Sequence, residues 1–397
     1  MGRAAPQGEV GLSIVLFWAL ALSLFLIAGE IGRRLGLISI VSHLLLATLG
    51  LPLLMLLWVG PHWQLTGAEL IAPAWLKTLY GLSFALLLGH ILSDVVELKV
   101  DRQSLKIALP SFLVPFVCGL ACGALLLPEQ PWLTALALGL VFAITAVPVL
   151  YLYLRNIDYP PAATRRLMQV AIGIDLVCWL LFGLGQGSLD PLSLAWPLLA
   201  ACAPLPLYLL GLRRPWVFGL SFLALLFVAE HYKLNALIFG IAYLACLAWL
   251  KVPLRLPISA QWIKHLQNGV AIPLILTFGI IQIDFQHLLR HLDLLQLGAL
   301  VVLPIASKML GNWLGLKWAE PSFPGASRWR ENLLLNIRGL SEIVFLNLLL
   351  QQQLISPALY FALMLMSLVA TLMPALAGLH RIPLNTLTTA RRPHAEH

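Results

Sequence analysis

Charge is what this chain has least of. Asp, Glu, Lys and Arg make up only 11% of its 397 residues, hydrophobic residues make up 60%, and the mean hydropathy is +0.91. A soluble domain of this length cannot hide so much apolar surface. Cysteine is also rare. All five (Cys118, Cys122, Cys178, Cys202, Cys246) fall within apolar stretches and read as small core residues, not disulfides or metal ligands. There is no HExxH, P-loop or dinucleotide fingerprint, and no nucleophile, base and metal set, so neither an enzyme nor a bound cofactor is expected. Long polar stretches are missing too, which leaves no room for a soluble domain.

What remains is a succession of apolar segments long enough to cross a bilayer, each needing about 20 residues. Thirteen can be drawn, from 10–28 to 357–379, in a single transmembrane domain over 1–397 with a short tail at 380–397. With the N-terminus outside, nineteen of the 25 Lys and Arg fall on the cytoplasmic side and four outside. The other two, Lys308 and Arg338, lie inside spans. Basic residues favour the cytoplasmic face, so this sorting predicts N-out, C-in in a plasma membrane, the bacterial inner membrane being the expected one. The net charge of +8 suits a basic face against anionic lipid and calls for no nucleic-acid partner. Arg33 and Arg34 follow the first span, which reads as a retained helix, not a cleaved signal. Most of the thirteen tryptophans lie near span ends, as an interfacial belt requires.

Asp175 stands near the middle of the sixth span, 165–185. An ionised carboxylate there is expensive unless it faces water, holds a cation or carries a proton. Two other spans are interrupted. The fifth, 131–154, carries Thr145 and then Pro148, which cannot donate a backbone hydrogen bond. The twelfth, 329–350, carries Asn336, Arg338, Gly339 and Glu342 at membrane depth. Spans five and twelve are seven apart, so they enter from opposite sides. That predicts an inverted repeat, 38–185 against 234–379, with broken helices crossing near the midplane, where transporters place their ion site. A kinking proline alone has an ordinary structural reading; two matched breaks beside intramembrane charges point to function.

The run Ile144-Thr145-Ala146-Val147-Pro148-Val149-Leu150 with 167–179, and the run Asn336-Ile337-Arg338-Gly339-Leu340-Ser341-Glu342-Ile343 continuing to Asn347, Ser356-Pro357 and Thr371, resemble motifs of the second cation:proton antiporter family. That branch of the sodium/hydrogen exchangers includes the glutathione-gated potassium efflux systems. The resemblance implies an all-α polytopic dimer with a mobile core that moves like an elevator, lacking the regulatory domain of some relatives. It implies Asp175 as the main cation and proton ligand, Lys308 as the basic residue of the eleventh span, and Arg338 with Glu342 as the charged pair of the twelfth. One departure is plain: Ile174 stands where many relatives carry a first aspartate.

Without an acid at 174, Lys308 has three options: pairing with Asp175, losing its proton, or reaching a carbonyl of a broken helix. Arg338 and Glu342, four apart, can pair on one helix face. The Thr145 hydroxyl can ligate a cation or bond back to its own helix. Asp94, Glu97 and Asp101, set among Lys99 and Arg102, read as a solvated face. The leading expectation is antiport of Na⁺ or K⁺ against protons, electroneutral because one carboxylate trades one cation for one proton. A passive cation channel and a transport-inactive scaffold or sensor are the alternatives. The topology has a direct test: in a chain otherwise free of cysteine, Ala395→Cys should resist membrane-impermeant thiol reagents applied to intact cells, and clear labelling from outside would overturn the N-out, C-in assignment.

Overall fold

The computed structural model describes residues 7–35, 39–63, 65–93, 101–126, 131–187, 195–232, 236–252, 254, 259–285, 294–322 and 324–377. Every predicted span falls on helix where described, three of them with a break, and no strand occurs among the described residues. The helices run α1 (Gln7–Arg34), α2 (Ser39–Trp63), α3 (Ala74–Ser93), α4 (Arg102–Leu126), α5 (Trp132–Ala143), α6 (Val147–Asn156) and α7 (Pro161–Gly187). Next come α8 (Ala195–Ala201), α9 (Pro204–Leu209), α10 (Pro215–His231) and α11 (Ala236–Leu250). The twelfth helix, α12, begins as Ala260–Leu266 and passes through a π turn at Gln267–Ala271 into Ile272–Ile280. The chain closes with α13 (Leu294–Ala319), α14 (Gly325–Leu335), α15 (Leu340–Gln351) and α16 (Pro357–Leu376). Among the described residues, seven helical stretches are long and apolar enough to cross a membrane, with α14 and α15 together making one of them. Asp94, Glu97, Lys99 and the tail at 380–397 lie outside the described residues.

The two expected interruptions are present: α5 stops at Ala143 and α6 starts at Val147, and α14 stops at Leu335 with α15 starting at Leu340. A third, at Cys202 and Ala203 between α8 and α9, was not expected. Cys202 is exposed there, so it is not the core residue that its apolar surroundings suggested. All five cysteines are free, and no metal-holding group of His, Cys, Asp or Glu occurs among the described residues. Two tryptophans also leave the interfacial pattern. Trp18 is buried and donates to the Leu70 carbonyl at 3.0 Å, and Trp179 is buried with its ring edge-on to Phe345.

Small residues decide how the centre packs. A Cβ at Gly119 would lie 2.6 Å from the Gly139 Cα, and one at Gly311 would lie 2.5 Å from the Pro110 carbonyl oxygen. Glycine at these points lets α4 press its backbone against α5 on one side and α13 on the other. Close backbones shorten the reach a side chain needs to cross from one helix to another. The α14–α15 pair runs through the middle of the bundle, its most apolar stretch wholly buried. The α16 helix covers it, starting from Ser356, whose hydroxyl accepts from the Leu359 N–H at 3.2 Å.

Candidate functional site

The two breaks meet. The Ala146 N–H, from the gap between α5 and α6, donates to the Ile337 carbonyl in the gap between α14 and α15, at 3.2 Å. Gly339 permits this approach: its φ is +157°, and a Cβ there would stand 2.6 Å from the Val149 Cγ2. The α5–α6 gap spans Ile144 to Ala146 and lies ahead of Pro148, which sits in the first turn of α6, where its missing N–H costs nothing. Proline therefore marks the restart of the helix, a few residues past where α5 ends.

Four helix ends converge, and each needs partners for its orphan backbone groups. The carbonyls that end α5 are taken by cations from other helices. Arg338 donates through Nη2 to Phe142 at 2.7 Å and through Nη1 to Val141. Lys308 donates to the Ala143 carbonyl and to that of Ser111 on α4 at 3.2 Å. Two basic side chains thus sit at the negative end of the α5 dipole. At the facing N-terminal ends the arrangement reverses. The Thr145 N–H, just before α6, donates to Asp175 Oδ1 at 2.9 Å, and Glu342 lies in the first turn of α15. Carboxylates at helix N-termini and cations at a C-terminus place each charge where the backbone favours it.

These groups are deep. Lys308, Arg338, Glu342 and Asn336 are 0% exposed, and Asp175 is 4% exposed. Glu342 Oε1 lies 3.7 Å from Arg338 Nη1, the anticipated four-residue pair, and Oε2 accepts from Ser367 at 2.8 Å. Arg338 makes its shorter bonds to the carbonyls of α5, so it ties the two broken helices together as well as pairing within its own. Thr371 fixes the second gap by donating to the Arg338 carbonyl at 2.8 Å, and Tyr153 on α6 donates to the Thr371 carbonyl at 3.0 Å. The Lys308 amine thus reaches a carbonyl of the broken helix, one of its three options. The Thr145 and Ser341 hydroxyls and the Asn336 amide oxygen are buried with no hydrogen-bond partner among the described residues. Asn336 closes α14, its Nδ2 3.7 Å from the Met373 sulfur.

Sequence reasoning missed Ser367, which shares a face of α16 with Thr371, and it missed Asn312 and Asn332. All three fall four residues from a polar residue already singled out, and that spacing inside apolar helices is the signal that could have found them. A second cluster lies at the far end of α7, α13 and α14. Arg166 grips both oxygens of buried Glu331 at 2.7 Å and also pairs with Glu320. Tyr159, in the loop before α7, donates to Glu331 at 3.4 Å. Burial, with the Glu331 charge, pushes its phenol well above the usual range, so it remains a donor.

The fold is shared with a solved protein, the sodium proton antiporter MjNhaP1 from Methanocaldococcus jannaschii. The match has a TM-score of 0.56 at 15% identity and covers 96% of this chain and 99% of that one. No family model matches the chain, and no curated protein is similar to it in sequence. By fold and composition it is a multi-pass helical membrane protein built on the architecture of that antiporter.

Removing the guanidinium should therefore loosen the crossing itself. Arg338→Met leaves the Val141 and Phe142 carbonyls uncapped and Glu342 as an uncompensated buried charge, at an expected cost of about 3–5 kcal/mol. Adding Glu342→Gln should restore part of that loss in thermal unfolding of the detergent-solubilised protein. A double variant no more stable than Arg338→Met would mean that Arg338 and Glu342 are not coupled.

Proposed function

We propose that this protein is a secondary antiporter exchanging a monovalent cation, Na⁺ or K⁺, for a proton at Asp175. The observation that carries the reading is a buried carboxylate held against the junction of two crossed helix breaks by the Thr145 N–H. The likeness to a sodium proton antiporter supports it, as do the motifs that resemble the second cation:proton antiporter family, in which we place the chain. A carboxylate can hold a proton or an alkali cation but not both, and that exclusion is what couples the two fluxes. Thr145 contributes an unpartnered hydroxyl beside Asp175, a hard oxygen suited to an alkali cation. The α5 carbonyls are committed to Arg338 and Lys308, so the cation draws its ligands from the carboxylate and hydroxyl side of the gap.

The charges favour electroneutral exchange. With both carboxylates ionised, Asp175 and Glu342 balance Lys308 and Arg338. A bound cation or a bound proton then adds the same single charge. Ile174, apolar and 2% exposed, offers no second acid to change that count. Burial of Asp175 supports an occluded site over the continuous pore that a passive channel needs, and an intact carboxylate at the crossing argues against a transport-inactive scaffold. We further propose that the chain works as a homodimer in the lipid bilayer, N-out and C-in, that 38–185 and 234–379 are inverted repeats, and that the core holding their crossed broken helices moves like an elevator.

Asp175→Asn should abolish cation-dependent proton flux in proteoliposomes while the purified variant keeps its thermal stability to within about 1 kcal/mol. Exchange near the wild-type rate in that variant would sink the assignment.

A further inference from the structure

Between the crossing and the Arg166–Glu331 cluster, two helices carry a buried polar track that the exchange site does not use. On α13, Asn312 lies one turn from Lys308 toward Glu320; on α14, Asn332 lies one turn from Asn336 toward Arg328. The two columns touch where Asn312 Nδ2 donates to the Asn332 carbonyl at 3.3 Å, a carbonyl that also takes the Asn336 N–H of its own helix at 3.2 Å. Asn312 and Asn336 are 0% exposed and Asn332 is 2% exposed. Yet the side-chain oxygens of all three are buried with no hydrogen-bond partner among the described residues. An unsatisfied buried acceptor costs about 1–3 kcal/mol, so three of them on two touching columns mark a place built for something else to occupy.

We propose that Asn312, Asn332 and Asn336 form a second cation site, distinct from Asp175, that takes a monovalent alkali cation on its way between the crossing and the Arg166–Glu331 end of the bundle. The chemistry fits the class. Three neutral amide oxygens are hard ligands for Na⁺ or K⁺, and they carry no proton to exchange. The surrounding charges do not forbid it: Arg166 and Arg328 are balanced by Glu320 and Glu331 at one end, while Lys308 and Arg338 are committed to α5 carbonyls at the other. A neutral site holds a cation weakly, as a waypoint must if the ion is to leave again. The inference rests on the antiporter reading for its choice of ion, but it makes a different claim, that cation binds without releasing a proton.

The test is equilibrium binding of radioactive Na⁺ and Rb⁺, the latter standing in for K⁺, to the purified full chain carrying Asp175→Asn. Saturable binding should persist in that background and keep one affinity from mildly acid to mildly alkaline pH. Adding Asn332→Leu, which removes the oxygen at similar volume, should weaken it at least about tenfold, and Asn332→Asp should tighten it by about as much. If the leucine variant fails to fold, Asn312→Leu and the aspartate variant read the same site. No saturable binding in Asp175→Asn, or binding indifferent to all three changes, overturns the proposal and leaves the amide oxygens to water. Failure of the antiporter reading would look different: the wild-type chain would drive no cation-dependent proton flux, whatever the binding experiment returns.

Discussion

The carbonyls of Val141, Phe142 and Ala143 end α5 in the middle of the bundle, on residues with no exposed surface. Arg338 and Lys308 satisfy them, arriving from α14–α15 and α13. Without those cations, α5 would have no reason to stop where it does, since a buried helix end without partners is costly. The crossing of the breaks, the position of Thr145 and the contact between its N–H and Asp175 all follow from a helix end capped at that depth. The capping also sets the charge balance, because each cation brought in is matched by a carboxylate at a helix N-terminus.

The close packing of α4 serves this arrangement. A lysine on α13 reaches carbonyls on both α4 and α5 only because Gly311 and Gly119 let the three backbones approach. In lipid there is no hydrophobic drive between helices, so small residues and buried polar bonds hold the core together. The polar residues of α16 extend the same logic. Ser367 and Thr371 hold Glu342 and the Arg338 carbonyl, which fixes the second gap while the first is fixed by cations.

How much of this was legible in the sequence depends on what leaves a trace there. Charged residues inside apolar runs do, so the helical character of the apolar segments, the two breaks and the burial of Asp175, Lys308, Arg338 and Glu342 could be read directly. Backbone carbonyls leave none. Nothing in the sequence says that Arg338 would bond to α5 in preference to Glu342, or which option Lys308 would take. Pro148 drew attention to the fifth span but lies past its gap, because proline is tolerated in a first turn and the chain breaks earlier, at Ile144. Cys202 looked like a core residue because its neighbours are apolar, whereas a local turn exposes it. Asn312 and Asn332 were passed over because an asparagine in an apolar helix carries no charge to flag it.

In the proposed exchange, one carboxylate, set among charges that otherwise cancel, trades one cation for one proton. Voltage tests it most directly. In proteoliposomes held at a series of imposed membrane potentials, the sodium gradient at which net proton flux stops should be the same at every potential, since no net charge moves in a cycle. A balance point that shifts with potential would contradict this reading, and would mean that Lys308 gives up a proton during transport despite its bonds to the Ala143 and Ser111 carbonyls.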